Sequence, residues 1–295
     1  MQKDFKMKIC FITGLMQRSG TNYLHRLISK HPLCLPEQVL KEDNLIRRLP
    51  HIEHFLDDLF DDWNPNWEVE LKRINKDHFR KSLMKTILET LFESHSSDVG
   101  KVLVSKTPST ENIELFKSFF TDQNKLIVLI RDGRSVITSG IDSFNWNFES
   151  SSRLWAQRAR NVAQFRESCD HNQVKFVKYE NLIDKERRNK ELYKIFEFLN
   201  LDHSLYPFDE DIPIIGSSEL VHSDGLVHWK ETKNHLNFSP LTRYHSWGWY
   251  KKTRFAYIAQ VEMYKMGYDI DAISTWQKCL NHLLDSLLKK PPRLY

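Results

Sequence analysis

Apolar positions along this chain alternate between short unbroken runs and longer stretches with helical spacing. Ile9-Cys10-Phe11-Ile12, between Lys8 and Thr13, is too short for a helix and lacks polar interruptions, as expected of a buried strand. A loop from Gly14 to Gly20 follows, and then Thr21 to Lys30 carries Tyr23, Leu24, Leu27 and Ile28 at helical spacing. The pattern therefore predicts a strand, a glycine-bearing turn and a helix.

From Val39 to about His95 the spacing is helical, with expected interruptions at Pro50 and Pro65 and one stripe of Phe79, Leu83, Ile87, Leu88 and Leu91. Strands return at Val102 to Ser105 and at Leu126 to Ile130, unbroken and rich in β-branched residues, as parallel strands covered on both faces require. Between them Pro108-Ser109-Thr110-Glu111 is expected to open a helix, with Ser109 or Thr110 as cap. An amphipathic helix is expected over Ser151 to Cys169 and a strand over Val174 to Lys178. A Pro-, Ser- and His-rich loop segment runs from Leu201 to Pro240, and two helices near Tyr257 to Met266 and Ile273 to Leu288 close the chain. Strands alternating with helices predict an α/β fold, a mainly parallel sheet flanked by helices with helical additions, in one domain over residues 1–295. Its ligand site is expected at the carboxyl ends of the strands.

Composition narrows the function. Lys and Arg number 43 against 39 for Asp and Glu, and the net charge of +4 is too mild for a nucleic-acid binder but suits an anionic small ligand. Cysteines at 10, 34, 169 and 279 have neither Cys-x-x-Cys spacing nor His partners, so neither a metal nor a disulfide framework is expected. No stretch approaches the ~20 apolar residues of a membrane helix, and the N-terminal run is shorter than a signal-peptide core, so a cytoplasmic protein without membrane partners is expected.

The first chemical motif is Thr13-Gly14-Leu15-Met16-Gln17-Arg18-Ser19-Gly20-Thr21-Asn22. A loop between strand and helix aims backbone N–H groups and the positive helix end at an anion. Arg18 adds charge, and Ser19 and Thr21 add hydroxyls. A Walker loop would place Lys after the last glycine, whereas Gly20 is followed by Thr21, which argues against an ordinary kinase or ATPase. The second motif is Arg131-Asp132-Gly133-Arg134, directly after a strand, with Ser139 eight positions beyond Arg131, a little over two helical turns. Arg offers the fork that phosphate prefers.

With its strand-loop-helix setting, Arg18-Ser19-Gly20-Thr21 resembles the 5′-phosphosulfate loop of sulfotransferases that use 3′-phosphoadenosine 5′-phosphosulfate (PAPS). The family has Pro and a second Thr where this chain has Gln17 and Asn22. The resemblance implies a P-loop NTPase-like sulfotransferase fold, nearest in pattern to the Arg-type branch that includes tyrosylprotein sulfotransferases. It implies PAPS as co-substrate, bound by Gln17, Arg18, Ser19, Gly20, Thr21 and Asn22, and adenosine 3′,5′-bisphosphate (PAP) as product. It makes Arg131 and Ser139 the 3′-phosphate site and puts Tyr179, in Tyr179-Glu180-Asn181-Leu182, near the nucleotide. It brings Ser217 and Ser218 over PAPS from the late segment that also holds His222 and Trp229. Lys106, in Ser-Lys-Thr-Pro, would reach the sulfuryl group or the bridging oxygen, together with Arg18.

The general base implied is Glu37, with Glu42, Asp43 and His31 as rivals. The partner implied is a small-molecule acceptor bearing a hydroxyl or amine. Asp57, Asp58, Asp61 and Asp62 beside Trp63 and Trp67 would suit a cationic, nitrogen-rich secondary metabolite, or form a solvated helix face. A P-loop phosphotransferase and a catalytically silent nucleotide-binding module are the alternatives.

Overall fold

The computed structural model describes residues 8–36, 40, 42–63, 75–93, 98, 100–210, 214–215, 231–232 and 240–287. Five parallel strands form one sheet: β1 (Lys8–Gly14), β2 (Cys34–Pro36), β3 (Val102–Thr107), β4 (Asn124–Ile130) and β5 (Val174–Lys178), in the order β2-β3-β1-β4-β5. β1 lies at the centre, paired with β3 from Lys8↔Val102 to Thr13↔Thr107 and with β4 from Ile9↔Asn124 to Gly14↔Leu129. A separate two-stranded antiparallel ribbon pairs β6 (Ile214–Ile215) with β7 (Glu231–Thr232).

The unbroken apolar runs arise because both faces of the sheet are covered. Strand residues alternate between two cores: Ile9, Phe11, Leu126, Val128 and Ile130 face one, and Cys10, Ile12, Ile127 and Leu129 the other. The second core is closed by α1 (Thr21–Ser29), through Leu24, Leu27 and Ile28. The first is closed by α2 (Leu45–Asp61), α3 (Lys76–Leu91), α4 (Phe116–Phe119), α5 (Gly133–Phe144) and α6 (Phe148–Ser168). Two further helices, α7 (Glu180–Ile183) and α8 (Lys185–Phe198), follow β5, and α8 joins α1 on the second core through Leu192, Ile195 and Phe196. The last pair is α9 (Trp249–Lys265) and α10 (Thr275–Leu287). Each buried apolar side chain of this kind stabilises by about 1.5–3 kcal/mol relative to exposure.

Several boundaries differ from the sequence expectation. Pro50 does not interrupt α2. It sacrifices one backbone hydrogen bond, and buried Ile46, Leu49 and Leu56 hold the helix through it. No helix opens at Ser109: the Ser109 hydroxyl accepts from the Glu111 N–H, and a 3₁₀ turn begins only at Ile113, after Asn112 at φ 63°. β2 was not foreseen, since three residues ending in proline carry no periodicity. The helix α6 starts at Phe148, capped by Asn147, whose side chain accepts from the Ser150 N–H.

The acidic run lies on α2, where Asp57 pairs with Lys76 of α3 and Asp58 lies 3.6 Å from His54. Trp67 is outside the described residues. Among the described residues no helix is long and apolar enough to cross a membrane, and no His, Cys, Asp or Glu cluster could hold a metal.

Candidate active site

The loop after β1 is drawn tight by its own atoms. The Ser19 hydroxyl and N–H both donate to the Met16 carbonyl, at 2.7 and 3.2 Å, and the Met16 N–H donates to Ser19 Oγ at 3.3 Å. Ser19 is buried, so its hydroxyl holds the turn. Arg18 has φ 70° and Gly20 φ 98°, two reversals on either side of Ser19 that turn the chain into α1. The Tyr23 and Leu24 N–H groups both donate to the Gly20 carbonyl, at 3.0 and 3.1 Å, which closes the first turn of α1 directly on the loop and sets the positive end of the helix there. A Cβ on Gly20 would stand 2.4 Å from the Tyr179 ring, so only glycine lets that ring lie on the loop.

Arg131, at the end of β4, is buried and binds the loop through its own side chain. One guanidinium nitrogen donates to the Arg18 carbonyl at 2.7 Å, another donates to the Pro240 carbonyl at 2.8 Å, and the group stacks 4.2 Å over the Tyr179 ring. Its Nε is buried with no partner. Ser139 is brought back by α5 as its offset from Arg131 required, and its hydroxyl accepts from Arg18 Nε at 3.0 Å. Gln17 stays exposed at the loop tip.

A third guanidinium, Arg243, joins Arg18 and Arg131 from the 3₁₀ turn Arg243–Ser246. Burial foremost, then repulsion from Arg131 and Arg243, lowers the Arg18 guanidinium to about 10. Three cations so close form a positive field that an anion would relieve. Sequence reasoning missed Arg243, because a lone basic residue in a polar stretch carries no spacing that marks it.

The neighbouring residues brace this corner. Asp132 caps α5 by accepting from the Arg134 N–H at 2.8 Å, and Arg134 folds back on the Asp132 carboxylate. Glu180 accepts from the Asp132 N–H at 3.0 Å and from the Tyr268 hydroxyl at 2.6 Å. A cleft of about 430 Å³ lined by Arg134, Tyr244, Trp249 and Lys252 lies nearby, but none of its lining residues belongs to the loop.

On the other side of β1, Lys106 sits buried near the end of β3. His25 of α1 meets the Val104 carbonyl at 3.1 Å, and burial, with the Lys106 charge second, pushes its ring down to about 4, so the imidazole is neutral. Burial raises the Glu42 carboxyl above its ordinary range, Lys106 pulls against that rise, and Asp43 adds to it. Glu42 is therefore within electrostatic reach of Lys106.

The rivals for the base separate on geometry. His31 is fully buried and both ring nitrogens are engaged: Nδ1 accepts from the Leu33 N–H at 3.1 Å, so Nε2 carries the proton and donates to the Asp202 carbonyl at 2.9 Å. It is a structural lock between the loop after α1 and the end of α8. Asp43 accepts hydrogen bonds from Ser105, Thr107 and Leu45, so both its oxygens are already engaged in holding β3 and the start of α2. Glu37, Ser217, Ser218, His222 and Trp229 lie outside the described residues.

The sulfotransferase family profile matches residues 10–204. No curated protein matches the chain. Among solved structures, a sulfotransferase domain from the curacin biosynthetic pathway is 16% identical with TM-score 0.51, covering 90% of this chain and 99% of its own. A sulfotransferase domain of the Synechococcus PCC 7002 olefin synthase is also 16% identical, with TM-score 0.54, covering 92% of this chain and 99% of its own. At that identity the likeness is one of fold.

Proposed function

This chain belongs to the sulfotransferase family, and from that premise we propose that it transfers the sulfuryl group of PAPS to a hydroxyl or amine of a small acceptor and releases PAP. The observation that carries the reading is the convergence of Arg18, Arg131 and Arg243 on the end of a parallel sheet, beside the Tyr179 ring. Three guanidiniums suit a ligand with several phosphate-like charges, and the buried unpartnered Arg131 Nε fits a group that still needs acceptors there.

In this reading the loop Gln17 to Asn22 holds the 5′-phosphosulfate, while Arg131, Ser139 and Arg243 hold the 3′-phosphate. Tyr179 supports the nucleotide, and Ser217 and Ser218 join from the late segment. The donor supplies an activated sulfuryl group whose bond to the bridging oxygen breaks as a new bond forms to the acceptor oxygen or nitrogen. Charge then develops on the bridging oxygen, where Lys106 and Arg18 stabilise it. The acceptor's proton passes to a carboxylate. By the family resemblance this is Glu37, and a specific observation favours Glu42 as the second candidate: it is half-buried beside Lys106.

Calorimetry with PAP, ADP and ATP tests the reading, followed by PAPS turnover across phenols, amines, sugars and alkaloids. PAP should bind far more tightly than ADP. Tight ATP binding with phosphoryl transfer would replace the reading with a phosphotransferase, and PAP binding with no turnover on any acceptor would replace it with a silent nucleotide-binding module.

A further inference from the structure

Lys106 is gripped from behind by a single residue on another segment. Ser105 and Thr107 flank it on β3, and by strand alternation their side chains project to the face opposite that of Lys106. Both hydroxyls donate to the Asp43 carboxylate, Ser105 to Oδ2 at 2.6 Å and Thr107 to Oδ1 at 3.1 Å. The Asp43 N–H in turn donates to the Lys106 carbonyl at 3.3 Å. Asp43 Oδ1 also accepts from the Leu45 N–H at 2.9 Å, and Thr107 Oγ1 accepts from the Asn44 N–H at 2.8 Å, so the same knot opens α2.

Among the described residues β2 pairs with β3 from Cys34↔Val102 to Pro36↔Val104, and Ser105, Lys106 and Thr107 pair with Phe11, Ile12 and Thr13 of β1. Asp43 binds β3 over that same stretch, through both hydroxyls and the Lys106 carbonyl. The residue before it, Glu42, feels the Lys106 charge.

We infer that Asp43 is a positioning residue of the transfer reaction: by binding Ser105, Thr107 and the Lys106 carbonyl at once, it fixes the Lys106 main chain and sets Glu42 beside it. The inference rests on the reading of Lys106 as the group that meets the sulfuryl centre. It differs from a base role for Asp43, since the carboxylate acts through its acceptors and touches no reacting atom. The carboxylate is suited to this task because it can take three donors at two oxygens, which no neutral side chain of its size matches.

The test compares Asp43→Ala, Asp43→Asn and Lys106→Met in the full chain. Three measurements are made: PAP affinity by calorimetry, the split between kcat and KM, and the rate at which a lysine-directed acylating reagent labels each lysine, resolved by peptide mass spectrometry. Asp43→Ala should lower kcat by about 10²-fold, the scale of a reacting group displaced by roughly 1 Å. It should leave PAP affinity and KM for PAPS unchanged and accelerate labelling of Lys106 alone. Asp43→Asn should recover most of the turnover, because its amide can donate to Ser105 Oγ while its carbonyl still accepts from Leu45. If Asp43→Ala fails to fold, the pair Ser105→Ala and Thr107→Val removes the same ties from the strand side and should give the same selective labelling.

Unchanged turnover with unchanged Lys106 labelling overturns the inference. So does faster labelling of all lysines with weaker PAP binding, which marks general destabilisation. The functional reading fails by different outcomes, an intact protein that binds PAP but transfers nothing, or Lys106→Met with full turnover. In either case the labelling pattern still decides whether Asp43 holds Lys106.

Discussion

Arg18 Nε donates to Ser139 Oγ across 3.0 Å although 121 residues separate them along the chain. The phosphate loop and α5 therefore form one continuous polar surface, and both ends of a bisphosphorylated nucleotide would meet it together. ADP would leave the Arg131 and Ser139 part of that surface without its anion. Arg131→Ala should weaken PAP binding by about 1.5–3 kcal/mol, the range of a charge-assisted hydrogen bond, and weaken it more than ADP binding, which loses only the support that Arg131 gives the loop. Calorimetry checks this, and equal affinity of the intact protein for PAP and ADP would remove the 3′-phosphate from the site.

Gly20 is confined twice, by φ 98° and by the Tyr179 ring where a Cβ would go. Gly20→Ala should therefore cost at least ~1–2 kcal/mol for the left-handed backbone alone. Thermal denaturation should show the loss, and PAP binding should weaken further because Tyr179 must retreat from the loop. A variant with the parent's melting temperature and PAP affinity would contradict the contact.

In the proposed reaction Lys106 and Arg18 act on charge that develops during transfer. Lys106→Met and Arg18→Met should each lower turnover by about 10²–10³-fold, the scale for one preorganised donor, and weaken PAP binding much less. Steady-state kinetics separates the cases: a change confined to the KM for PAPS would assign the residue to ground-state binding.

The identity of the base has a pH signature. A carboxyl whose folded pKa is raised binds its proton more tightly when folded. Its ionisation therefore costs stability, a cost absent below the unfolded pKa and fully present above the folded one. Glu42→Gln should then melt higher than the intact protein at neutral pH, with the advantage vanishing under acid conditions. If Glu42 is the base, turnover falls on the acid side through a pKa above the ordinary carboxylate range, and Glu42→Gln loses about 10²–10⁴-fold. Collapse in Glu37→Gln with near-normal Glu42→Gln would place the base at Glu37.

Much of this architecture was written into local pattern. The runs at Ile9 to Ile12 and Leu126 to Ile130 identified parallel strands because a strand covered on both faces has no polar side to break the run. The eight-residue offset allowed Ser139 to return towards the strand end given a tight intervening loop, and its hydroxyl meets Arg18. The start of α9 was not foreseen, because its buried face includes Arg254 and Glu262, which periodicity counts as polar. Arg254 is paired there with Glu149 and Asp285, and Glu262 with Arg160. Burial of charge depends on partners supplied by other helices, and hydropathy cannot see them.

By itself, then, the sequence determined the sheet class, the strand-loop-helix around Gly14 to Gly20 and the spacing of Arg131 and Ser139, since each depends on residues joined by a single loop or helix. Only the tertiary structure decided which of several polar residues meet one another. It brought Arg243 to Arg18, closed both nitrogens of His31 and tied Asp43 to β3, while Glu42 was left beside Lys106. An acidic side chain serves as a brace or as a base according to how many donors surround it, and those donors lie about 60 residues away in sequence, on a strand that only folding brings alongside.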